Sequence, residues 1–198
     1  MIKKIKQQWH QFQLSRLTKE QLIHHIANGS NAAVLEAVNI LKEREHLQDG
    51  SLNNANLAGA KLQNAKLATA QLEAANLTQA DLTHCYLGSV NLKGAILQGA
   101  IMQYANLRDV SLRKANMQNC DLRHAHFASA DMWNVNLQGA NLQHANLWGA
   151  NLKAANLRDA NLENANIGQV QLDNDTILPD GTRWSAEVDL AKYTNHKK

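Results

Sequence analysis

The chain has one proline and two cysteines in 198 residues, and aromatic side chains make up only 5% of it. No run of 18 apolar residues occurs, so hydropathy offers no transmembrane helix. The opening Met1-Ile2-Lys3-Lys4-Ile5-Lys6 has no apolar stretch of the signal-peptide kind, and a cytoplasmic location is expected. Basic and acidic residues nearly balance, 20 against 17, so composition announces neither an acidic nucleic-acid mimic nor a strongly cationic nucleic-acid binder. Motifs for chemistry are missing too. There is no Gly-rich phosphate loop and no Gly-x-Ser-x-Gly elbow, and Glu73, Asp81, Asp121, Asp131 and Glu163 show no paired placement. The expectation is a protein that is not an enzyme, with no catalytic residue, no cofactor and no metal. Cys85 and Cys120 stand where Ala is the rule, without the short Cys/His spacings of a zinc site, and are expected to be free and buried.

What is present is a five-residue clock. From Leu52 to Leu172 every fifth residue is Leu, Met, Phe or Ile, 25 positions without an insertion. Two residues before each, Ala dominates, with Cys and Val as occasional replacements. A period of five fits neither a 3.6-residue helix nor a two-residue strand, so the array must be a repeat architecture. The position just before the central residue favours Asn or Asp, as at Asn136, Asn141, Asn146, Asn151, Asn156, Asn161 and Asn166. Such short side chains bond nearby backbone at a corner and tolerate its turn geometry.

Three segments follow from these patterns: 1–50, helical; 51–175, the array; and 176–198, a cap and tail. Thr18-Lys19-Glu20-Gln21 predicts a capping box with Leu17 and Leu22 as its hydrophobic staple, and Asn28-Gly29 ends that helix. A second helix is predicted from Ser30 as N-cap to about His46, with Val34, Leu35, Val38 and Leu41 on one stripe. Ahead of both, Ile2, Ile5, Trp9 and Phe12 share one face of a short cationic amphipathic piece with Lys3, Lys4 and Lys6 opposite. Near the other end, Leu178-Pro179-Asp180-Gly181 predicts a turn that stops the array and leaves Trp184 to cover the last coil. A short helix with Val188, Leu190 and Tyr193 is expected in the tail.

Units such as Ala55-Asn56-Leu57-Ala58-Gly59, Ala80-Asp81-Leu82-Thr83-His84 and Ala160-Asn161-Leu162-Glu163-Asn164 resemble those of pentapeptide repeat proteins. The resemblance covers the array and implies an all-β solenoid: a right-handed quadrilateral β-helix of about six coils, four pentapeptides per coil, with an α-helical N-terminal cap and a short C-terminal cap. In that fold the central residue fills the axis and the small residue tucks in near the corner. Coils at ~4.8 Å spacing would make a rod of roughly 30 Å. Departures from Asn or Asp at Lys61, Lys66, Tyr86, Ile96, Ile101 and His126 then cluster in the first four coils, on faces used differently. The terminal Leu178 to Trp184 stretch looks like that of bacterial members.

With 20 residues per coil, residues 20 apart align along the rod, and function is sought in those columns. One column holds His84, Tyr104, His124 and His144. Basic residues concentrate in the middle coils at Lys93, Arg108, Arg113, Lys114 and Arg123, where they suit an anionic partner. Trp133 and Trp148 face outward on adjacent sides of one corner, and exposed Trp marks binding hot spots. The leading functional reading is a non-catalytic interaction or scaffold protein with a protein partner, in which the Trp133/Trp148 corner and the helical start carry specificity. A second, suggested by the family, is a DNA mimic acting on a type II topoisomerase; against it, the array holds nine basic and nine acidic residues. The third is attachment to a membrane surface through residues 2–12, with Trp9 and Phe12 inserted; packing of that face on the first coil competes with it. Some members of the family dimerise through C-terminal elements, which makes a homodimer a further expectation by analogy.

Overall fold

The computed structural model describes residues 13–195. The amphipathic piece at residues 2–12, including Trp9 and Phe12, lies outside the described residues. From Asn56 onward every fifth residue forms a parallel bridge to the residue 20 positions on: Asn56 to Asn76, Lys61 to Asp81, and so to Asn151 with Gln171. The coil therefore has four sides of five residues each, and each side is one bridging residue wide.

All five backbone N–H groups of a unit can be followed to their acceptors. In the unit Ala75–Gln79, Asn76 donates to the Ala55 carbonyl of the preceding coil at 2.9 Å. Leu77 and Gln79 donate to Ile96 and Gln98 of the next coil at 2.7 and 2.9 Å. The N–H of Ala80, which opens the next unit, closes the turn onto Leu77 at 3.0 Å. That leaves Thr78, whose N–H donates to the Asn76 side-chain oxygen at 3.1 Å. Asn and Asp recur before the central residue because they accept the one N–H that no backbone carbonyl reaches. Some of these amides also bond along the rod, as Asn156 to Asn136 at 3.3 Å and Asn166 to Asn146 at 3.2 Å.

The turn itself needs a left-handed residue two places after the central one. Every such position from Asn54 to Gln169 has φ between +55° and +69°, and most are not glycine. The tolerance for turn geometry expected of the Asn before the central residue is thus required three residues later; at its own position Asn acts as a hydrogen-bond acceptor. Inside, the central residues from Leu52 to Leu162 are at most 6% exposed, which makes the axis one continuous apolar column. The small residues beside them are equally enclosed from Ala60 to Ala165.

Both ends of the ladder are covered. Helix α1 (Lys19–Asn28) starts at the expected capping box, with Gln21 N–H on the Thr18 hydroxyl and Thr18 N–H on the Gln21 side chain. Gly29 ends it in extended backbone; a Cβ there would come within 2.5 Å of the His25 carbonyl. Helix α2 (Asn31–Glu43) buries Val34, Ala37, Val38, Ile40 and Leu41, and Leu35 packs half-buried beside them. It stops three residues short of the expected His46 because Glu45 turns left-handed, letting His46 N–H reach back to Leu41 and Glu45 N–H to Lys42. The Asn31 amide donates to the Lys61 and Gln63 carbonyls, which have no preceding coil to serve as acceptors for.

At the far end the expected turn forms. Gly181 takes φ +81°, and Ile177 pairs antiparallel with Arg183. The last bridge of the array, Asn156 to Ile177, spans 21 residues. The extra residue is absorbed at Asp173, which accepts from Ala154 N–H, while the buried Thr176 hydroxyl donates to the Leu152 carbonyl. Trp184 does not close the axis as expected. The last apolar coil is met by Leu178, Leu190 and Tyr193, because helix α3 (Ala191–Thr194) swings Tyr193 over it and Asp180 anchors the Tyr193 hydroxyl at 2.7 Å.

Phe127, fully buried among Leu, Met and Ala side chains, is the largest ring on the axis. Phe127→Ala should lower unfolding free energy by about 3–5 kcal/mol, the usual cost of such a cavity, as read from denaturant unfolding.

Candidate partner-binding surface

A filled rod exposes only three positions per unit, so any site must be assembled from columns on its sides and corners. The His84 column is such an assembly. Because its members share a left-handed corner and repeat at the coil spacing, their rings stack: His84 on Tyr104 at 4.9 Å, Tyr104 on His124 at 4.7 Å, and His124 on His144 at 4.8 Å between centroids. Planes tilt by 14° at the first step and 2° at the others. Held face to face, the rings line up along the column rather than around a common point, and ligands must converge to hold an ion. Among the described residues no group of three or more His, Cys, Asp or Glu is placed to hold a metal.

The middle-coil cations divide into paired and unpaired. Lys93 meets Glu73 at 3.0 Å, Arg113 meets Asp131 at 2.9 Å, and Arg123 meets Asp121 at 2.7 Å. The Lys93 ammonium holds the Glu73 carboxyl below the usual carboxylate range, and the Arg123 guanidinium does the same for Asp121, aided by the Gln103 amide. These are surface pairs, worth little to stability but sufficient to neutralise the local field. Arg108 has no carboxylate or ring partner among the described residues.

The two tryptophans turn out differently. Trp133 is half-buried between cations, with the Arg113 guanidinium 4.8 Å and the Lys114 ammonium 5.5 Å from its ring. Trp148 is 50% exposed, and its indole lies against Gly168, where a Cβ would come within 3.1 Å of it. Among the described residues no ring contact joins the two, so they form separate features on adjacent sides.

Tyr86 and His126 belong to the surface that the sequence flagged only as departures from Asn. They line a groove of about 550 Å³ with His84, Tyr104 and Arg108. Tyr86, at 55% exposure, is the most exposed large apolar side chain described. The signal that finds it is the replacement of Asn by an aromatic residue at a position where the backbone asks for an acceptor.

A profile described as pentapeptide repeats matches the chain in eight copies, over residues 46–79, 75–113, 105–143 and 136–174. The chain belongs to the pentapeptide repeat family. Its members fold as right-handed quadrilateral β-helices, and the four-sided rod with helical caps is that fold. Among solved structures, HetL from the cyanobacterium Nostoc sp. strain PCC 7120, a pentapeptide repeat protein involved in heterocyst differentiation regulation, is similar at 35% identity with a TM-score of 0.65. The match covers 67% of this chain and 61% of HetL. QnrB1, a plasmid-mediated fluoroquinolone resistance protein, matches at 17% identity with a TM-score of 0.60, covering 65% of each chain, a likeness of fold alone. The chain thus spans under two thirds of the length of either. No curated protein sequence matches it. No helix among the described residues is long and apolar enough to cross a membrane.

The cysteines sit where expected, free and buried at small positions, with Cys85 donating to the Leu62 carbonyl at 2.7 Å and Cys120 to Leu97 at 3.0 Å. Burial pushes both thiols up to about 12. At pH 8 a disulfide reagent should therefore find no reactive thiol in the folded protein and two after denaturation; rapid native labelling would contradict their enclosure.

Proposed function

We propose that this pentapeptide repeat protein is a non-catalytic interaction protein that holds a protein partner on the outward columns of its β-helix. The observation that carries this reading is Trp148, an indole left half-exposed, with Tyr86 and Tyr104, on a rod whose axis is enclosed throughout. A large aromatic left in water is costly without a partner and supplies binding energy when covered. Trp133, with Arg113 and Lys114 on its ring, adds a cationic aromatic feature on the neighbouring side. The likeness to HetL, which is involved in the regulation of heterocyst differentiation, supports a regulatory interaction. Two unpaired cysteines suit a reducing, cytoplasmic compartment.

Nothing in the charge pattern favours DNA mimicry of a type II topoisomerase substrate. Such mimicry needs rows of free carboxylates, whereas Glu73, Asp121 and Asp131 are each paired with a cation.

Affinity capture from the native host tests the reading. A defined protein should be retained by the wild type and reduced about tenfold or more by Trp133→Ala with Trp148→Ala, a loss on the scale of a hot spot. Undiminished recovery after both changes would remove the indoles from the interaction.

A further inference from the structure

The geometry points to the side of the rod bearing Tyr86, Arg108 and Trp148 as the docking surface for an extended acidic segment of a partner protein; this rests on the interaction role proposed above. Charge is the first argument. Across the flat of this side from Lys66 to Gly168, and in the corner column from Asn64 to Asn164, there is no Asp or Glu; the one carboxylate is Asp109, at the opposite corner beside Arg108. Lys66 and the unpaired Arg108 are its fixed cations. With two cations against the single carboxylate at its edge, the side favours an anionic partner over a cationic one.

Hydrogen bonding gives the second. Because Tyr86 stands in place of Asn or Asp, no side-chain oxygen caps the N–H of Gly88, which makes no hydrogen bond among the described residues. Next to it the stacked His84–Tyr104–His124–His144 rings cover one another's faces between them and turn their edges outward, which carry N–H and O–H groups and the positive rim of the ring. Donors of this kind suit carboxylates and peptide carbonyls.

Shape and the competing occupants complete the case. The groove runs from Asn64 to His126, three coil steps or about 14 Å, the length of four or five extended residues. Tyr86 and Trp148 offer flat apolar area for large side chains between the carboxylates. A nucleic acid fits less well, since two fixed cations fall short of the roughly 6–10 phosphate contacts such binding uses. A second copy of this chain offers no acidic row from the middle of its array, because Glu73, Asp121 and Asp131 are already engaged.

Photo-crosslinking in the native host distinguishes these outcomes. The full chain would carry p-benzoylphenylalanine at position 86, or at position 98 on the opposite side, and adducts would be sequenced by mass spectrometry. The expected result is a protein adduct at 86 that maps to an acidic segment and falls about tenfold when Arg108→Glu is added. An adduct at 98 and none at 86 would overturn this surface while leaving the interaction role standing. An adduct at 86 to nucleic acid, to a basic segment or to another copy of the chain would overturn the assigned occupant. No adduct at either position, with circular dichroism showing both proteins folded, would count against the surface and the interaction role together.

Discussion

The structure depends on one backbone constraint: every fifth residue must enter the left-handed region to turn the corner of the coil. Of the 24 corners from Asn54 to Gln169, nineteen use residues other than glycine, although L residues there cost about 1–2 kcal/mol each. The corner persists because the rest of the unit is saturated with compensating interactions. Three N–H groups bond between coils, one closes the turn, and the Asn or Asp side chain takes the last. The central Leu and the neighbouring Ala are then sealed inside. Change the period by one residue and all of these lose register together, which is why the 21-residue step, from Asn156 to Ile177, lies at the end, where Asp173 and Thr176 supply substitute hydrogen bonds.

The same constraint decides where function can reside. Inward positions are committed to packing, and the residue before the central one is committed to an N–H cap wherever it is Asn or Asp. The remaining outward and corner positions repeat every 20 residues, so side chains of like shape stack along the rod, as His84, Tyr104, His124 and His144 do. Departures at committed positions are the most telling. Tyr86 gives up a cap to place an exposed ring beside an uncapped N–H and an unpaired arginine, a combination with no role in holding the coil together.

Much of the scaffold was legible because it is periodic. Leu at every fifth place, Ala two before it and Asn one before it map directly onto axis, corner and cap. The capping box at Thr18, the turn at Pro179 and the free thiols are local features and were legible for the same reason. Contacts across the fold were harder. Trp184 and Tyr193 both follow the last coil, and which one closes it depends on the path set by the Asp180 anchor. Ion pairing in the middle coils depends on side-chain reach between columns, so the sequence showed five cations but not that, among the described residues, Arg108 is the one of them without a carboxylate or ring partner. Trp133 and Trp148 read as one corner by position, yet cation stacking on Trp133 and the seat of Trp148 on Gly168 make them separate features.

The left-handed corner is most directly tested at Ala74 and Ala154, where a methyl side chain occupies φ +55° and +56°. Glycine normally loosens regular structure by about 0.5–1 kcal/mol relative to alanine, but at these corners it relieves the Cβ clash. Thermal unfolding of Ala74→Gly with Ala154→Gly should therefore show a higher melting temperature than the wild type. A lower one would contradict the corner as the constraint on which the rod is built.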